Sequence, residues 1–275
     1  MTDPTPRPWS SGHVVVTVAA IVVGAVVILD LATAIPLPAD GPIGLIQLFA
    51  VHLSLLTLVL LPLAVRRDAR WLRLAFVALA ITGAIRFGSE WWSPPGPPVG
   101  ETDLRVASFN LEVGSRPAAE AVAFLRDLDV DLVALQELTP RVADAIAADP
   151  VLATRFPSRA MFPDEDVIGL GILSRAPLRE ARFEGGPSRL IASVEDTAGP
   201  LRLVVVHPLA PRLTRGPLGV PTDYSITTRT EALARIRETI GQEQAGDAPV
   251  VVIGDINTAP TEPAFEPFIA GFEDS

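Results

Sequence analysis

Long apolar runs dominate the first 92 residues of the chain, whereas shorter apolar runs alternate with polar segments in the remainder. The long runs lie at about 14–37, 43–65 and 71–90. A helix needs about 20 mostly apolar residues to cross the hydrocarbon core of a bilayer. The first two runs meet that length, and the third meets it if Arg73 and Arg86 extend toward the interfaces. We therefore expect residues 1–92 to form a membrane anchor of three transmembrane helices.

Basic residues in the short loops set the expected orientation of this anchor. Residues 66–70 read Arg-Arg-Asp-Ala-Arg, while the loop at 38–42 holds no basic residue. Basic loops stay on the cytoplasmic side. We therefore expect a multi-pass protein of the cell membrane, with a cytoplasmic N-terminus and an extracytoplasmic domain after Trp92. A cleaved signal peptide is the alternative for the first run, but it needs a basic start and only Arg7 precedes this run.

A proline-rich spacer at 93–102 separates the anchor from residues 103–275, which have the pattern of a layered domain. Short apolar runs typical of buried strands alternate there with stretches of helical spacing. Strands are expected at 104–109, 131–135, 169–174, 189–195, 201–206 and 249–254, and helices at 117–128, 139–148 and 228–242. A Pro- and Gly-rich stretch at 208–224 is expected to be a loop. This order predicts an α/β domain with mixed sheets.

Composition narrows the possible functions. The chain carries a net charge of −10 and has no cysteine. An acidic chain has no bulk attraction for a polyanion, so tight non-specific binding of nucleic acid is not expected. The lack of cysteine excludes disulfides, thiolate metal sites and cysteine nucleophiles. A metal ion could still supply positive charge locally.

Polar residues come at the ends of several expected strands. Asn110, Glu137 and His207 each follow one strand, and Asp255 and Asn257 follow another. Strand ends along one edge of a sheet can converge on one cleft. Carboxylates from two such ends suit a hard cation such as Mg²⁺, and a histidine beside them can donate to a phosphoryl oxygen or move a proton. Each residue alone is more often a turn or surface residue, so the prediction depends on their conjunction.

Five motifs resemble those of the endonuclease/exonuclease/phosphatase superfamily, which includes DNase I-like nucleases, sphingomyelinases and inositol-phosphate phosphatases. In chain order they are RVASFN (105–110), DLVALQE (131–137), GLGILSR (169–175), VVHP (205–208) and IGDINTAP (253–260). The resemblance implies a DNase I-like α/β sandwich of two sheets. Together with the apolar N-terminal segment, it resembles a membrane-anchored bacterial branch of the superfamily. It does not indicate one substrate.

The same resemblance implies a role for each residue. Glu137 would bind Mg²⁺ or Mn²⁺, with Asn110 beside it in the metal shell or on a phosphate oxygen. Asp255 would orient or deprotonate the attacking water, and Asn257 would hold the phosphoryl group. His207 would contact the phosphate or assist the leaving oxygen. These roles imply in-line attack of water on a phosphoester, with charge stabilised by the metal and by fixed donors.

The end of the chain leaves the activity open. Superfamily members continue past the Gly-Asp-x-Asn motif with an Ile-Asp-His-like strand and a Ser-Asp-His segment, and neither occurs in this sequence. We therefore expect a domain that is incomplete at its C-terminus. The leading hypothesis is a membrane-anchored, metal-dependent phosphoesterase. The alternative is an inactive domain that binds a phosphorylated ligand or partner at the membrane.

The expected partners are a lipid bilayer and a phosphoester substrate, which is a nucleic acid, a nucleotide or a phospholipid head group. No protein partner is inferred. Arg229, near the start of the last expected helix, is expected to form a surface salt bridge, with a phosphate contact as the alternative.

Overall fold

The chain divides into two compact units. The structure is a computed structural model that describes residues 11–33, 40–91, 104–115, 117–196, 199–260 and 262–273. The first unit comprises Met1–Gly96, Leu213–Ser225 and Thr261–Pro263, and the second comprises Pro97–Arg212, Ile226–Pro260 and Ala264–Ser275. The expected spacer at 93–102 and the end of the first expected span, 34–37, lie outside the described residues.

Apolar helices make up most of the first unit. They are α1 (Ser11–Thr33), α2 (Gly41–Thr57), a 3₁₀ helix (Leu58–Val65) and α3 (Arg70–Trp91). α1 packs against α3 through a buried cluster that includes Val16, Val23 and Leu72. The other faces of these helices carry exposed apolar side chains, among them Ile21 and Ile28 of α1.

The prediction of three transmembrane helices is not supported. Within the described residues, one helix is long and apolar enough to cross a membrane, at Ser11–Ala32 with a mean hydropathy of 2.8. The second run breaks into α2 and the 3₁₀ helix around Pro62, which has no N–H for an α-helical hydrogen bond. α3 carries Arg70 and Arg73 in its first turn. Because the predicted orientation counted three crossings, it loses its support with them.

The second unit contains two four-stranded sheets. The first sheet has the order β1-β2-β4-β3, and its β1 and β2 are parallel while the other pairs are antiparallel. The second has the order β10-β7-β6-β5, with β10 parallel to β7. The strands are β1 (Val106–Asn110), β2 (Leu132–Gln136), β3 (Ser158–Phe162), β4 (Leu170–Ser174), β5 (Leu178–Gly185), β6 (Ser188–Asp196), β7 (Gly199–His207) and β10 (Val250–Gly254).

Helices cover the outer faces of both sheets. They are α4 (Ala118–Asp127), α5 (Pro140–Ala148), α6 (Pro150–Arg155), α7 (Thr227–Gln244) and α8 (Phe265–Ile269). The two sheets face each other through buried side chains such as Leu132 and Leu203. Leu125 of α4 packs on the first sheet, and Ile236 of α7 packs on the second. The expected mixed α/β fold is therefore confirmed, with helix, sheet, sheet and helix layers.

Local sequence explains where several of these elements begin. α5 starts at Pro140, whose fixed φ and missing N–H suit the first helical turn. α6 starts after Asp149, whose carboxylate accepts the backbone N–H of Leu152 as a helix cap. β2 is buried along its whole length, which agrees with its continuous apolar run.

The stretch expected to be a loop at 208–224 instead contains a hairpin of β8 (Arg212–Arg215) and β9 (Pro221–Ser225). Gly219 in its turn has φ +72 and donates its N–H to the Gly216 carbonyl, 2.9 Å away. Glycine adopts this conformation without steric cost, so a turn can form here. The two strands were not predicted because the apolar pattern gave no strand signal.

Candidate functional site

The ends of four strands meet at one edge of the sandwich. β1 and β2 end side by side, with Asn110 opposite Gln136 in register. In the other sheet β10 ends beside β7, with Gly254 opposite Val206. β10 also contacts β1 and β2, so the carboxyl ends of both parallel pairs lie together. The structure therefore brings together the five residues that the sequence singled out.

Asn110 joins the two sheets at this edge. Its Nδ2 donates to Glu137 Oε1 at 3.0 Å and to Asp255 Oδ2 at 3.1 Å. Its Oδ1 accepts the backbone N–H of Glu112 at 2.8 Å, which fixes the amide's orientation. One amide nitrogen thus holds two carboxylates that are 118 residues apart in the chain, because Glu137 follows β2 and Asp255 follows β10.

Glu137 sits in a strained backbone conformation. Its φ is +56, a region that residues other than glycine seldom occupy. Its second oxygen, Oε2, accepts the backbone N–H of Val113 at 2.8 Å, and its side chain is 16% exposed. Backbone strain of this kind costs about 1–3 kcal/mol and is concentrated at functional sites. The carboxylate lies at the strand ends, where Asn110 holds it.

His207 lies deep in the site with a fixed ring. It is 2% exposed, and its Nδ1 lies 3.2 Å from the Asp255 carbonyl oxygen. A carbonyl oxygen only accepts, so Nδ1 carries the hydrogen in this bond. Nε2 then faces Glu137 Oε1 at 3.4 Å. The ring is thereby oriented so that Nε2 is the nitrogen available for proton exchange within the site.

A tight turn after β10 presents the remaining two residues. Asn257 has φ +51 and donates its backbone N–H to Asp255 Oδ1 at 2.9 Å, as in an Asx turn. Its side-chain Nδ2 donates to the Pro208 carbonyl at 2.9 Å, which ties the turn to the residue after His207. Both Asp255 oxygens are therefore held, one by Asn110 and one by the turn itself.

Sequence comparison assigns this domain to a family. The model of the endonuclease/exonuclease/phosphatase family matches residues 107–274, which is more than half of the chain and includes every site residue described above. The chain belongs to the endonuclease/exonuclease/phosphatase family. No curated protein sequence matches it significantly.

Several solved structures resemble this chain, although their sequence identity with it is low. A β-hairpin deletion mutant of beta toxin from Staphylococcus aureus is 14% identical with a TM-score of 0.48, over 62% of this chain and 72% of that one. Sphingomyelinase C from Streptomyces griseocarneus is 14% identical with a TM-score of 0.44, over 61% and 68%. TDP2 from D. rerio, complexed with a single-strand DNA product, is 20% identical with a TM-score of 0.45, over 60% and 64%.

The carboxylates of the candidate site differ in their partners from those at the opposite end of the strands. Before β1 and β2, Arg105 and Arg175 pair with Asp129 and Asp131, and the hydrogen bond from the Arg105 side chain holds the pKa of Asp129 below its usual range. At the site, none of the described arginines pairs with Glu137 or Asp255. Two carboxylates on one amide donor without an arginine counter-ion form a place where a cation is favoured.

The donor set fits a hard divalent cation better than a soft one. Glu137 and Asp255 offer carboxylate oxygens, and Asn110 lies between them. Among the described residues, no three His, Asp or Glu side chains group closely enough to hold a metal by themselves. Mg²⁺ usually binds through one or two carboxylates and keeps several waters. The residues present therefore fit Mg²⁺ or Mn²⁺ with a mostly aqueous shell.

The expected surface position of Arg229 is wrong. Arg229 is 1% exposed, and its Nη1 donates to the Asn257 carbonyl at 2.6 Å. The sequence held a signal for this, because Arg229 lies four and seven residues before Leu233 and Ile236, on the apolar stripe of α7. A charged residue on a buried helical stripe needs a polar partner inside the fold.

Proposed function

We propose that this chain is a divalent-metal-dependent phosphoesterase. The observation that carries the proposal is the pair of carboxylates, Glu137 and Asp255, which share the Asn110 amide and face His207 at the strand ends. Membership of the endonuclease/exonuclease/phosphatase family supports phosphoester chemistry. The substrate is a phosphodiester or phosphomonoester that is hydrolysed by water.

In the proposed reaction, a Glu137 carboxylate oxygen would hold the cation, with Asn110 beside it in the metal shell. When bound, a divalent cation supplies positive charge that stabilises the phosphoryl oxygens as negative charge develops on them. The Val113 N–H and the Asn110 amide keep the Glu137 carboxylate aimed into the site. This fixed geometry reduces the rearrangement needed when the cation binds.

Asp255 accepts the proton of the attacking water. The water oxygen forms a bond to phosphorus while the bond from phosphorus to the leaving oxygen breaks. Each Asp255 oxygen already accepts one hydrogen bond, which orients the carboxylate and leaves a second lone pair for the water. The Asn257 side chain uses one N–H on the Pro208 carbonyl and has a second for a phosphoryl oxygen. His207 takes part as the imidazolium, which keeps Nδ1–H on the Asp255 carbonyl, delivers its Nε2 proton to the leaving oxygen and becomes neutral.

Removal of one charge tests this proposal. Glu137→Gln keeps the shape of the side chain but removes the negative charge that the cation needs. We expect the full chain in detergent to hydrolyse bis-(p-nitrophenyl) phosphate with Mg²⁺ or Mn²⁺, to stop with EDTA, and to lose at least about 100-fold in kcat/KM in Glu137→Gln. Glu238→Gln, an exposed glutamate on α7, is the matched control and should retain full activity.

The outcomes separate the two hypotheses from the sequence. Activity that survives EDTA, or is equal in Glu137→Gln, would contradict a metal-dependent mechanism. Binding of inorganic phosphate without any turnover would favour the phospho-ligand-binding module instead.

We also propose that α1 attaches the protein to a bilayer. Ser11–Ala32 has the length and hydropathy of a single span, and Ile21 and Ile28 on its outer faces are 65% and 70% exposed. Apolar side chains on the outside of an apolar helix are stable in lipid and unfavourable in water. Attachment in this way would put phospholipid head groups within reach as substrates. Nucleotides and nucleic acids remain alternatives that a substrate screen distinguishes.

A further inference from the structure

Arg229 is a buried charge that contacts a turn of the candidate site. It lies in the first turn of α7, is 1% exposed, and donates from Nη1 to the Asn257 carbonyl at 2.6 Å. An arginine is almost never fully buried unless its guanidinium is paired, because removing its charge from water is costly. The burial of this particular side chain therefore needs a reason beyond filling space.

Attachment of α7 to the sheet does not supply that reason. Leu233, Ile236 and Ile240 pack α7 against Val204 and Val206 of β7 in an apolar cluster. An apolar side chain at position 229 would extend the same stripe without the cost of a buried charge. The apolar cluster therefore packs α7 on the sheet, and the guanidinium adds a polar contact to the turn.

Hydrogen bonds from several parts of the fold hold the turn that Arg229 contacts. Asn257 has φ +51, a left-handed conformation that residues other than glycine seldom adopt and that asparagine tolerates best among them. Its backbone N–H bonds Asp255 Oδ1, its side-chain Nδ2 bonds the Pro208 carbonyl, and its own carbonyl accepts from Arg229. These three bonds fix the residue on three sides, and the bond from Arg229 is the one that comes from α7.

We propose that Arg229 is a positioning residue for the phosphoryl-binding side of the site, an inference that rests on the proposed function. Its guanidinium holds the 255–257 turn in the left-handed conformation. That conformation aims the Asn257 amide and the Asp255 carboxylate at the phosphoester. Arg229 itself does not touch the substrate. Asn110 and Val113 hold the Glu137 side of the site.

The planar guanidinium explains why arginine occupies this position. Arginine offers five N–H donors in a rigid fork, whereas lysine offers one compact ammonium on a flexible stem. Arg229→Lys keeps the charge and most of the volume, so a loss in this variant reports lost geometry. Arg229→Met removes the charge and keeps an apolar stem of similar length. Arg235→Met, on the exposed face of the same helix, is the control for α7 itself.

The test uses the full chain in detergent and two kinds of readout. Calorimetry gives the Kd of Mn²⁺ alone and the Kd of inorganic phosphate with Mn²⁺ present. Hydrolysis of bis-(p-nitrophenyl) phosphate gives kcat and KM. We expect Arg229→Lys to weaken phosphate binding about 10-fold and to lower kcat about 10- to 100-fold, with a smaller change in the Kd of Mn²⁺. Arg235→Met should change none of these quantities.

A double-mutant cycle decides whether Arg229 acts through Asn257. In an Asn257→Ala background, the change in phosphate Kd caused by Arg229→Lys should shrink to less than about 3-fold, because contacts that act together are not additive. An undiminished effect in that background would overturn the proposal. Unchanged phosphate binding in Arg229→Lys would do the same, as would an equal loss in Mn²⁺ binding, which indicates a purely structural role.

The two readouts also separate this inference from the proposed function. A wild-type chain that binds phosphate but does not hydrolyse the ester would contradict the phosphoesterase, and the phosphate Kd of Arg229→Lys would still decide the role of Arg229. A wild-type chain that binds no phosphate would overturn both.

Discussion

Gly254 is the residue at which a single methyl group should damage both the fold and the site. It ends β10 with φ +143, directly before Asp255. A Cβ at this position would lie 2.0 Å from the Val206 carbonyl oxygen, whereas ordinary contacts begin near 3.4 Å. The strand end must therefore move by about 1.4 Å to accept alanine. That movement separates Gly254 from Val206, its partner in the parallel ladder, and carries Asp255 with it.

Two energetic costs determine the expected destabilisation by Gly254→Ala, and one shift of the β10 end relieves both. A side chain at this φ costs about 1–3 kcal/mol, and overpacking by one methyl group costs a similar amount, about 1–3 kcal/mol. We expect Gly254→Ala to destabilise the domain by at least about 2 kcal/mol. In a domain of this size that lowers the thermal midpoint by about 4–8 °C. A misplacement of about 1 Å at the reacting groups should lower kcat roughly 100-fold.

Gly241→Ala is the matched control. Gly241 lies in α7 with nothing within 4 Å of its Cβ position, so alanine there should stabilise the helix by up to about 1 kcal/mol. Both variants are heated as full chains in detergent, and the unfolded fraction is measured by brief proteolysis and by loss of ester hydrolysis. If Gly254→Ala unfolds and hydrolyses like Gly241→Ala, the steric reasoning about the β10 end is wrong.

Two further predictions concern acid stability and membrane attachment. The side-chain hydrogen bond from Arg126 and, to a smaller extent, the Leu152 N–H lower the pKa of Asp149 in the folded protein. The ionised carboxylate therefore stabilises the fold above the unfolded pKa near 4, and this stabilisation is lost as the pH falls through the lower folded pKa. Asp149→Asn should therefore lower the thermal midpoint at pH 7 and differ less from wild type near pH 3; an equal difference at both values would contradict this. Ile21→Lys puts a charge at the centre of α1, which costs about 2.5–3.5 kcal/mol in a bilayer. This variant should be released from carbonate-washed membranes, whereas the control Ile21→Leu should stay bound. N-terminal sequencing that begins after residue 32 would instead show α1 to be a cleaved signal.

The sequence predicted the strands that are apolar runs well and missed strands that lack such a run. β2, β4 and β7 were readable because each is a continuous apolar run, and such runs are typical of strands that are covered on both faces. β5 was missed because it is an edge strand rich in exposed charges, including Arg179 and Glu180, which give no apolar alternation. The three-span prediction is not supported because apolar content alone does not keep Pro62 inside a continuous helix.

The candidate site also has features that the sequence determined and features that only the tertiary structure decided. The sequence by itself determined that Asn110, Glu137 and His207 follow strands, and that a Gly-Asp-x-Asn turn ends the last one, because local apolar runs end where polar residues begin. Only the tertiary structure decided that Asn110 meets Asp255, 145 residues away, since that contact depends on how two sheets stack and on the register at β10. Local patterns determine which residues end a strand. The packing of the layers brings distant strand ends together and buries Arg229, and local sequence does not specify that packing.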